Sequence, residues 1–354
     1  MAGTHGGLLY DVIGDDLSGL SRRSEFVPAD VLDAWFDPAP SVLSVLKEEA
    51  AWMCRTSPPA AATGLERSLA TRDGVDPRCV AAGGGSSDLI FRCLASWLSP
   101  SSRVFLLDPT YSEYRHVCEQ VVGCSVECAQ DFSAIGDRYD MIVVVNPNNP
   151  TGALLTRPQI EGLTEFLRPG GVVWIDEAYL PYVSEGQSMK KLAARDKRFV
   201  VCQSLSKSLA LSGLRAAYLV AHEDVCRAVR RATPPWVISM PATLAVHAAL
   251  TEEGYYTSRY AETRELRRRT AAQLASLEVG RVTESAANWV SFESGVSSAE
   301  VIDRCRKSGV LVRDGVGMFL SPPAGFIRVA VRSQVENERS VEAVRGATCR
   351  LAAR

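Results

Sequence analysis

The chain has little of what disulfide frameworks, metal centres or membrane spans require. Its ten cysteines are scattered without a C-x-x-C pair, and it has only four histidines. Because the N-terminus shows no apolar signal segment, we expect reduced thiols in a cytoplasmic protein, and no metal site. The longest aliphatic runs, such as residues 142–145, suit a strand and are too short for a bilayer, so no membrane association is expected.

Lysine is also scarce. The chain has 39 basic and 41 acidic residues, and only six of the basic residues are lysines. The run Arg267–Arg269 lies among glutamates in a helical pattern, which is typical of a solvated helix face and gives no reason to expect a nucleic-acid partner. A length of 354 residues suits one large two-lobed domain or two ordinary domains.

One of the six lysines, Lys207, has an unusual setting. It stands between two serines and precedes an apolar run, and Arg215 follows eight residues later. Burial removes water from a charged amine and favours the neutral nucleophile that attacks a carbonyl. Serine hydroxyls and a guanidinium bind phosphate. The segment therefore favours a carbonyl cofactor with a phosphate, and pyridoxal 5'-phosphate fits. The alternative is a surface lysine on a short helix.

Short aliphatic runs alternate with helical patterns along most of the chain. Such runs indicate strands buried on both faces of a parallel sheet, and we expect them at 80–82, 104–107, 141–145, 172–175 and 199–202. Helices are expected at 40–55 and 86–98. The predicted fold is therefore α/β, with a mostly parallel sheet sandwiched by helices in a large domain (41–240). An N-terminal arm (1–40) precedes it. A smaller α+β domain (241–354) follows, with strands at 289–292 and 326–331.

Polar clusters follow the carboxyl end of each expected strand. They are Gly83–Asp88, Asp108–Tyr111, Asn146–Gly152, Asp176–Tyr179 and Ser204–Lys207. Ligands bind at that edge of an open parallel sheet, so these clusters are expected to form one site. At the first of them, Gly85, Ser86 and Ser87 open a helix whose free N–H groups would bind an anion.

The order and spacing of three motifs resemble a known family. Asn146–Gly152, Asp176–Tyr179 and the Lys207 segment are similar to those of the class I and II aminotransferases, which are fold type I pyridoxal-phosphate enzymes. The branch that contains histidinol-phosphate aminotransferase and threonine-phosphate decarboxylase is the most similar, over about residues 35–345. The resemblance implies an enzyme that acts on an L-amino acid as a homodimer, with part of the arm over the active site.

The resemblance also implies roles for single residues around the cofactor. Lys207 would bond to the cofactor and act as base at the substrate Cα, while Asp176 would keep the pyridine nitrogen protonated. Asn149 and Tyr179 would donate hydrogen bonds to the phenolic oxygen, and Tyr111 would stack on the ring. The alternatives are a helix cap for Asp176, a tight turn for Asn149 and an ordinary core position for Tyr111.

Other positions match the phosphate and substrate sites of the family. Ser86, Ser87, Ser204, Ser206 and Arg215 would surround the phosphate. Arg328 lies in an apolar strand and would bind the substrate α-carboxylate. The alternative for Arg328 is a structural salt bridge with Glu336.

Two departures from the family pattern concern the substrate side. Trp35 and Phe36 stand where relatives carry Asn-x-Asn-Pro, so Trp35 is expected beside the substrate. Ser57–Pro58 replaces a Tyr-Pro pair whose tyrosine reaches the partner subunit's phosphate. The predicted reaction is transamination in a specialised biosynthetic pathway. Decarboxylation or β-elimination on the same scaffold is the alternative.

Overall fold

The computed structural model describes residues 6–183 and 187–348. The strands are β1 (Val27–Pro28), β2 (Val80–Gly83), β3 (Arg103–Leu107), β4 (Ser125–Ala129), β5 (Tyr139–Val145), β6 (Leu167–Asp176), β7 (Phe199–Ser204), β8 (Ala217–Ala221), β9 (Val282–Glu284), β10 (Trp289–Glu293), β11 (Val310–Leu311), β12 (Arg313–Asp314) and β13 (Phe326–Ala330). The α-helices are α1 (Tyr10–Ile13), α2 (Pro40–Glu48), α3 (Ala50–Arg55), α4 (Thr63–Asp73), α5 (Ser86–Trp97), α6 (Ser112–His116), α7 (Arg157–Gly162), α8 (Lys190–Ala193), α9 (Glu223–Arg231), α10 (Met240–Leu250), α11 (Glu253–Ala275), α12 (Ser298–Lys307) and α13 (Gln334–Thr348).

A seven-stranded sheet forms the centre of the molecule, in the order β2-β8-β7-β6-β5-β3-β4. Only β8 runs against its neighbours, so the other six strands point the same way. Residues 141–145 of β5, 173–175 of β6 and 199–201 of β7 are buried, which is why these parts of the strands are apolar runs. The predicted α/β fold with a mostly parallel sheet is confirmed, and the carboxyl ends of the predicted strands meet at one edge.

Strands β4 and β8 were not foreseen from the sequence. The edge strand β4 is partly exposed along its length, so it lacks a continuous apolar run. Strand β8 is fully buried and pairs antiparallel with β7, and Ser204 stands opposite Ala217. A closed loop of residues 205–216 therefore joins the two strands.

A second, antiparallel sheet has the order β12-β13-β10-β9. Both strands predicted in this part of the chain, at 289–292 and 326–331, are present as β10 and β13. Central strand β13 carries Arg328, whose register partners are Ser291 on β10 and Arg313 on β12. This register places two arginines side by side.

The N-terminal segment is fastened to the C-terminal part of the chain. Strand β1 pairs in parallel with β11, and the buried Asp30 carboxylate accepts hydrogen bonds from the backbone N–H groups of Gly7 (2.6 Å) and Leu8 (2.9 Å). These contacts hold residues 6–8 near the ends of the central strands. The division into three domains at about residues 40 and 240 stays a prediction.

Nine cysteines lie in the described part of the chain, and all nine are unpaired, seven of them buried. Cys349 lies outside the described residues. Across 6–183 and 187–348, no group of histidine, cysteine and acidic side chains has the arrangement of a metal site. None of the helices described combines the length and apolar character that a bilayer crossing needs.

Candidate active site

A cleft of about 260 Å³ opens where the carboxyl ends of the central strands meet the second sheet. Three parts of the chain line it: the N-terminal segment with Gly6 and Asp30, the central sheet with its polar clusters, and the second sheet with Arg328. Predicted site residues Ser86, Tyr111, Asn149, Asp176, Tyr179, Ser204, Lys207 and Arg328 all line this cleft. The structure thus brings together residues that are far apart in sequence.

Lys207 lies in the loop after β7. The Tyr182 hydroxyl donates a 2.7 Å hydrogen bond to its backbone carbonyl, which fixes the turn. Its ammonium nitrogen lies 2.5 Å from Asp33 Oδ1, and the same oxygen accepts a 2.7 Å hydrogen bond from the Ser212 hydroxyl. Although burial opposes the charged form, the neighbouring Lys207 charge and the Ser212 hydroxyl hold the pKa of Asp33 below its ordinary value. Lys207 therefore faces an anion that the sequence did not predict.

Asp176 is the last residue of β6, and its carboxylate is buried. One oxygen accepts a 2.7 Å hydrogen bond from the Tyr114 hydroxyl, and the other accepts a 2.9 Å bond from the Ala178 N–H. Burial, with a smaller effect of Glu113, raises the pKa of this carboxyl. No basic side chain of the described residues forms an ion pair with it. The helix-cap alternative is wrong, because the next helical turn begins only at Leu180 and has Tyr179 as its N-cap. The Ala178 contact closes a turn between residues two apart, and it leaves the carboxylate available to a cation in the cleft.

Three more cleft residues carry groups that suit an aromatic ligand. Asn149 Oδ1 accepts a 2.5 Å hydrogen bond from Arg328, so its amide nitrogen is the part that remains to donate. Tyr179 packs edge-on against Trp289 at 4.9 Å, and burial raises the pKa of its phenol, which keeps it a neutral donor. Burial also raises the pKa of Tyr111, whose ring lines the cleft.

The predicted phosphate-binding site lies at the start of helix α5. Gly85 has φ +103°, and a Cβ there would stand 2.8 Å from Arg215 Nη2. The positive φ favours glycine, and the absence of a side chain there lets the guanidinium lie directly beside the helix N-terminus. Arg215 also donates to the Ser206 hydroxyl at 3.4 Å. The Ser87 hydroxyl donates to Glu113 at 2.9 Å, so Ser87 offers a ligand its backbone N–H rather than its side chain.

Arg328 is buried, although a guanidinium in an apolar strand is costly. It donates to Asn149 and, at 2.9 Å, to the Asp30 carbonyl, while its Nε lacks a hydrogen-bond partner. Burial, with the nearby positive charge of Arg313, lowers its pKa to about 10. The alternative ion pair with Glu336 is wrong, because the Glu336 carboxylate accepts hydrogen bonds from Ser333.

Sequence reasoning missed two charged residues of this cleft. Asp33 contacts Lys207, and Arg313 lines the cleft beside Arg328. Arg313 could have been identified as a candidate site residue from the sequence, because it is a basic residue directly after the apolar run Leu311–Val312. No local signal marks Asp33, because its partner is 174 positions away.

Trp35 does not lie beside the substrate cleft, contrary to the expectation. Its indole N–H donates to the Thr263 hydroxyl at 2.8 Å, and the Arg259 guanidinium lies 5.7 Å from its ring centre. The ring is thus packed against helix α11. Val31 and Leu32 of the same segment, and not Trp35, line the described cleft.

Comparison with known proteins agrees with this site. The family model of the class I and II aminotransferases matches residues 33–344. The chain belongs to this aminotransferase family. It is 30% identical over 274 residues to the histidinol-phosphate aminotransferase of Symbiobacterium thermophilum, covering 75% of each chain.

Two solved structures show the same fold. The histidinol-phosphate aminotransferase of Sinorhizobium meliloti in complex with pyridoxal-5'-phosphate has a TM-score of 0.81 and 18% identity, covering 91% of this aminotransferase chain and 90% of the other. The L-threonine-O-3-phosphate decarboxylase of Porphyromonas gingivalis also has a TM-score of 0.81, with 21% identity, covering 90% and 98%. The predicted resemblance is confirmed, and this aminotransferase-family enzyme uses pyridoxal 5'-phosphate.

The side chains of the cleft fit that cofactor. Asp176 is a buried carboxylate that lacks a cation, and a protonated ring nitrogen would supply one. Arg215 lies against Gly85 at the N-terminus of α5, so a guanidinium and the free N–H groups of the helix meet where a phosphate would bind. When bound, the cofactor supplies a cationic ring that accepts the electron pair left by a broken bond at the substrate Cα. Lys207 would hold the cofactor covalently and move a proton at Cα, and Tyr111 would cover the ring.

Proposed function

We propose that this enzyme transaminates an L-amino acid whose α-carboxylate binds Arg328. The observation that carries the proposal is the burial of Arg328 in the cleft without an acidic partner among the described residues. A guanidinium binds a carboxylate through two parallel hydrogen bonds, and the unpartnered Nε supplies one of the donors. The substrate Cα would then lie between Arg328 and Lys207.

We further propose that the substrate carries a second anionic group, a carboxylate or a phosphate. Arg313 supports this, because it lines the same cleft and stands opposite Arg328 in the β12–β13 register. Its guanidinium donates a 3.0 Å hydrogen bond to the Val316 carbonyl and adds a second positive charge to the cleft wall, which favours an anionic group on the substrate. The name of the similar histidinol-phosphate aminotransferase also points to a phosphorylated amine in this family.

A panel of L-amino acids tests both points. Glutamate, aspartate, O-phosphoserine and O-phosphothreonine are compared with alanine and leucine, by the visible spectrum of the cofactor and by mass analysis of the products. The amine form of the cofactor and a keto acid are expected from the dianionic compounds. Arg313→Ala should raise their KM about tenfold or more while changing that of alanine little. An equal change in KM for the dianionic compounds and for alanine would contradict the second anionic site.

Decarboxylation is a second candidate, and the Asp33–Lys207 contact favours it. Asp33 Oδ1 lies 2.5 Å from Lys207 Nζ and holds the amine in a fixed position in the cleft. A decarboxylase needs a group at Cα that delivers a proton once carbon dioxide has left. Release of carbon dioxide with the cofactor unchanged would identify this reaction. Formation of a keto acid would identify transamination.

We also propose that the enzyme acts as a cytoplasmic homodimer in a specialised biosynthetic pathway. Leu43 on α2, Trp52 on α3 and Trp236 are large apolar side chains left exposed on the chain. The Trp236 N–H donates to the Ala60 carbonyl at 3.0 Å, so Trp236 lies close to the segment that follows α3. Light scattering at micromolar concentration should give twice the mass of the chain. A fully active monomer would contradict the proposal.

A further inference from the structure

Glu113 is an acidic side chain in the wall of the cleft, although glutamates are usually exposed. It belongs to the first turn of α6, and only 8% of it is exposed. A glutamate in the first turn stabilises the N-terminus of a helix equally well from an exposed position. The burial of Glu113 in the cleft therefore needs a second reason.

Glu113 accepts hydrogen bonds from two residues of the expected cofactor site. Its Oε2 accepts a 2.9 Å hydrogen bond from the Ser87 hydroxyl, in the first turn of α5. The Tyr111 hydroxyl also donates to this carboxylate. Burial is the main cause of the raised pKa of the Tyr111 phenol, and the charge of Glu113 and this hydrogen bond add to it. One carboxylate thus joins the ring expected to cover the cofactor to the helix expected to bind its phosphate.

We propose that Glu113 is a positioning residue that fixes the Tyr111 ring at a set distance from the N-terminus of α5. A hydrogen bond at the phenolic oxygen holds the far end of the ring, and packing alone leaves that end less restricted. Ser87 holds the carboxylate from the other side, so it acts through Glu113. The inference rests on the proposed function, because it takes Tyr111 to cover the cofactor ring.

The alternative is that Glu113 acts on the cofactor through its charge alone. Glu113 lies close enough to Asp176 for its charge to contribute to the raised pKa of that carboxyl. A glutamine at position 113 separates the two explanations. Its amide oxygen still accepts hydrogen bonds from both hydroxyls, but the side chain carries no charge.

The first test measures binding of pyridoxal 5'-phosphate to the full chain after removal of the cofactor, through the visible absorption band. Glu113→Ala removes the acceptor of both hydrogen bonds and should raise the dissociation constant about tenfold. Glu113→Gln should stay within about twofold of the wild type. Glu119→Ala is the control, since Glu119 is exposed in the helical segment that continues α6, and it should bind normally. Equal losses in Glu113→Gln and Glu113→Ala would overturn the proposal.

The second test uses the circular dichroism of the visible band at saturating cofactor, divided by the amount of cofactor bound. An achiral chromophore gains this signal from its fixed surroundings, so the signal reports how the ring is held. Glu113→Ala should lower it by about half or more, and Glu113→Gln should keep it. An unchanged signal per bound cofactor in Glu113→Ala would contradict the positioning role.

Tyr111→Phe keeps the ring and removes only its hydroxyl, so it carries the test if Glu113→Ala does not fold. It should weaken binding and lower the signal by less than Glu113→Ala does, and no change in either would contradict the proposal. Added to Glu113→Ala, it should cause little further loss, because the contact is already broken. A full further loss would show that the two residues act independently, which would also overturn the proposal.

Both readouts are independent of turnover. If the amino-acid panel shows no reaction while these changes are seen, the proposed function fails and the positioning role of Glu113 stands.

Discussion

The Tyr114 hydroxyl donates a 2.7 Å hydrogen bond to the Asp176 carboxylate and accepts a 2.9 Å bond from the Trp174 indole. All three side chains are buried. Neutral donors hold the carboxylate in place without neutralising it, so its charge stays available to the cleft. A basic residue in the position of Tyr114 would instead form an ion pair with Asp176 and neutralise its carboxylate.

Replacing Asp176 by Asn should lower turnover by about a hundredfold or more, because an amide cannot hold the proton on the cofactor's ring nitrogen. Steady-state kinetics with saturating cofactor measures this effect. Asp303→Asn is the control, since its side chain is 58% exposed, and it should retain full activity. Near-normal turnover in Asp176→Asn, with cleavage at Cα rate-limiting, would show that the carboxylate does not support the electron sink.

The same variant should stabilise the chain when the cofactor has been removed. Burial raises the pKa of Asp176 in the folded state, so the folded protein binds this proton more tightly than the unfolded chain does. The corresponding stability is present below the ordinary Asp pKa of 3.8 and is lost as the pH rises through the raised value. Asp176→Asn should therefore gain about 1–2 kcal/mol in the free energy of unfolding at neutral pH, with less gain in acid. Urea denaturation at two pH values measures the difference, and an equal gain at both would be inconsistent with this cause.

Lys207→Ala should abolish covalent attachment of the cofactor while the fold persists, because the ring and phosphate contacts come from other residues. Borohydride reduction of the wild type followed by peptide mapping should place the label on Lys207. Lys197→Ala is the control, since Lys197 is exposed and pairs with Asp224. A label on any other lysine would refute the assignment.

Arg328→Ala should weaken amino-acid binding by about 2–4 kcal/mol, since a charge-assisted bidentate contact is lost. Substrate titration followed through the cofactor spectrum measures the affinity. Arg345→Ala on α13 is the matched control, with a side chain 51% exposed, and should bind normally. Unchanged affinity in Arg328→Ala would place the α-carboxylate elsewhere.

The sequence predicted the positions of residues that are set by a local pattern. Asp176 and the Lys207 loop stand directly after buried aliphatic strands, so the strand pattern and the parallel-sheet rule place them at one edge. Strand β4 escaped prediction because a half-exposed edge strand has no continuous apolar run.

Residues whose roles depend on distant contacts were not predictable in the same way. Asp33 meets Lys207 only because the N-terminal segment folds over the sheet, and Arg313 meets Arg328 through strand register. The position of Trp35 in the chain predicted a place beside the substrate, but its side chain packs on α11 instead. A local motif does not specify the direction in which a side chain points.

The loop of residues 205–216 has a consequence for how this site can vary. Ser204 pairs with Ala217, and the Leu205 N–H donates to the Ala216 carbonyl at 3.1 Å, so both ends of the loop are clamped together. Lys207 and Arg215 lie near its two ends, so the length of the loop would set the distance between the residue expected to bond to the cofactor's carbonyl carbon and the residue expected to bind its phosphate. An insertion inside it would misplace both attachments at once. Inserted residues are therefore expected to be tolerated outside this loop and to abolish cofactor retention within it.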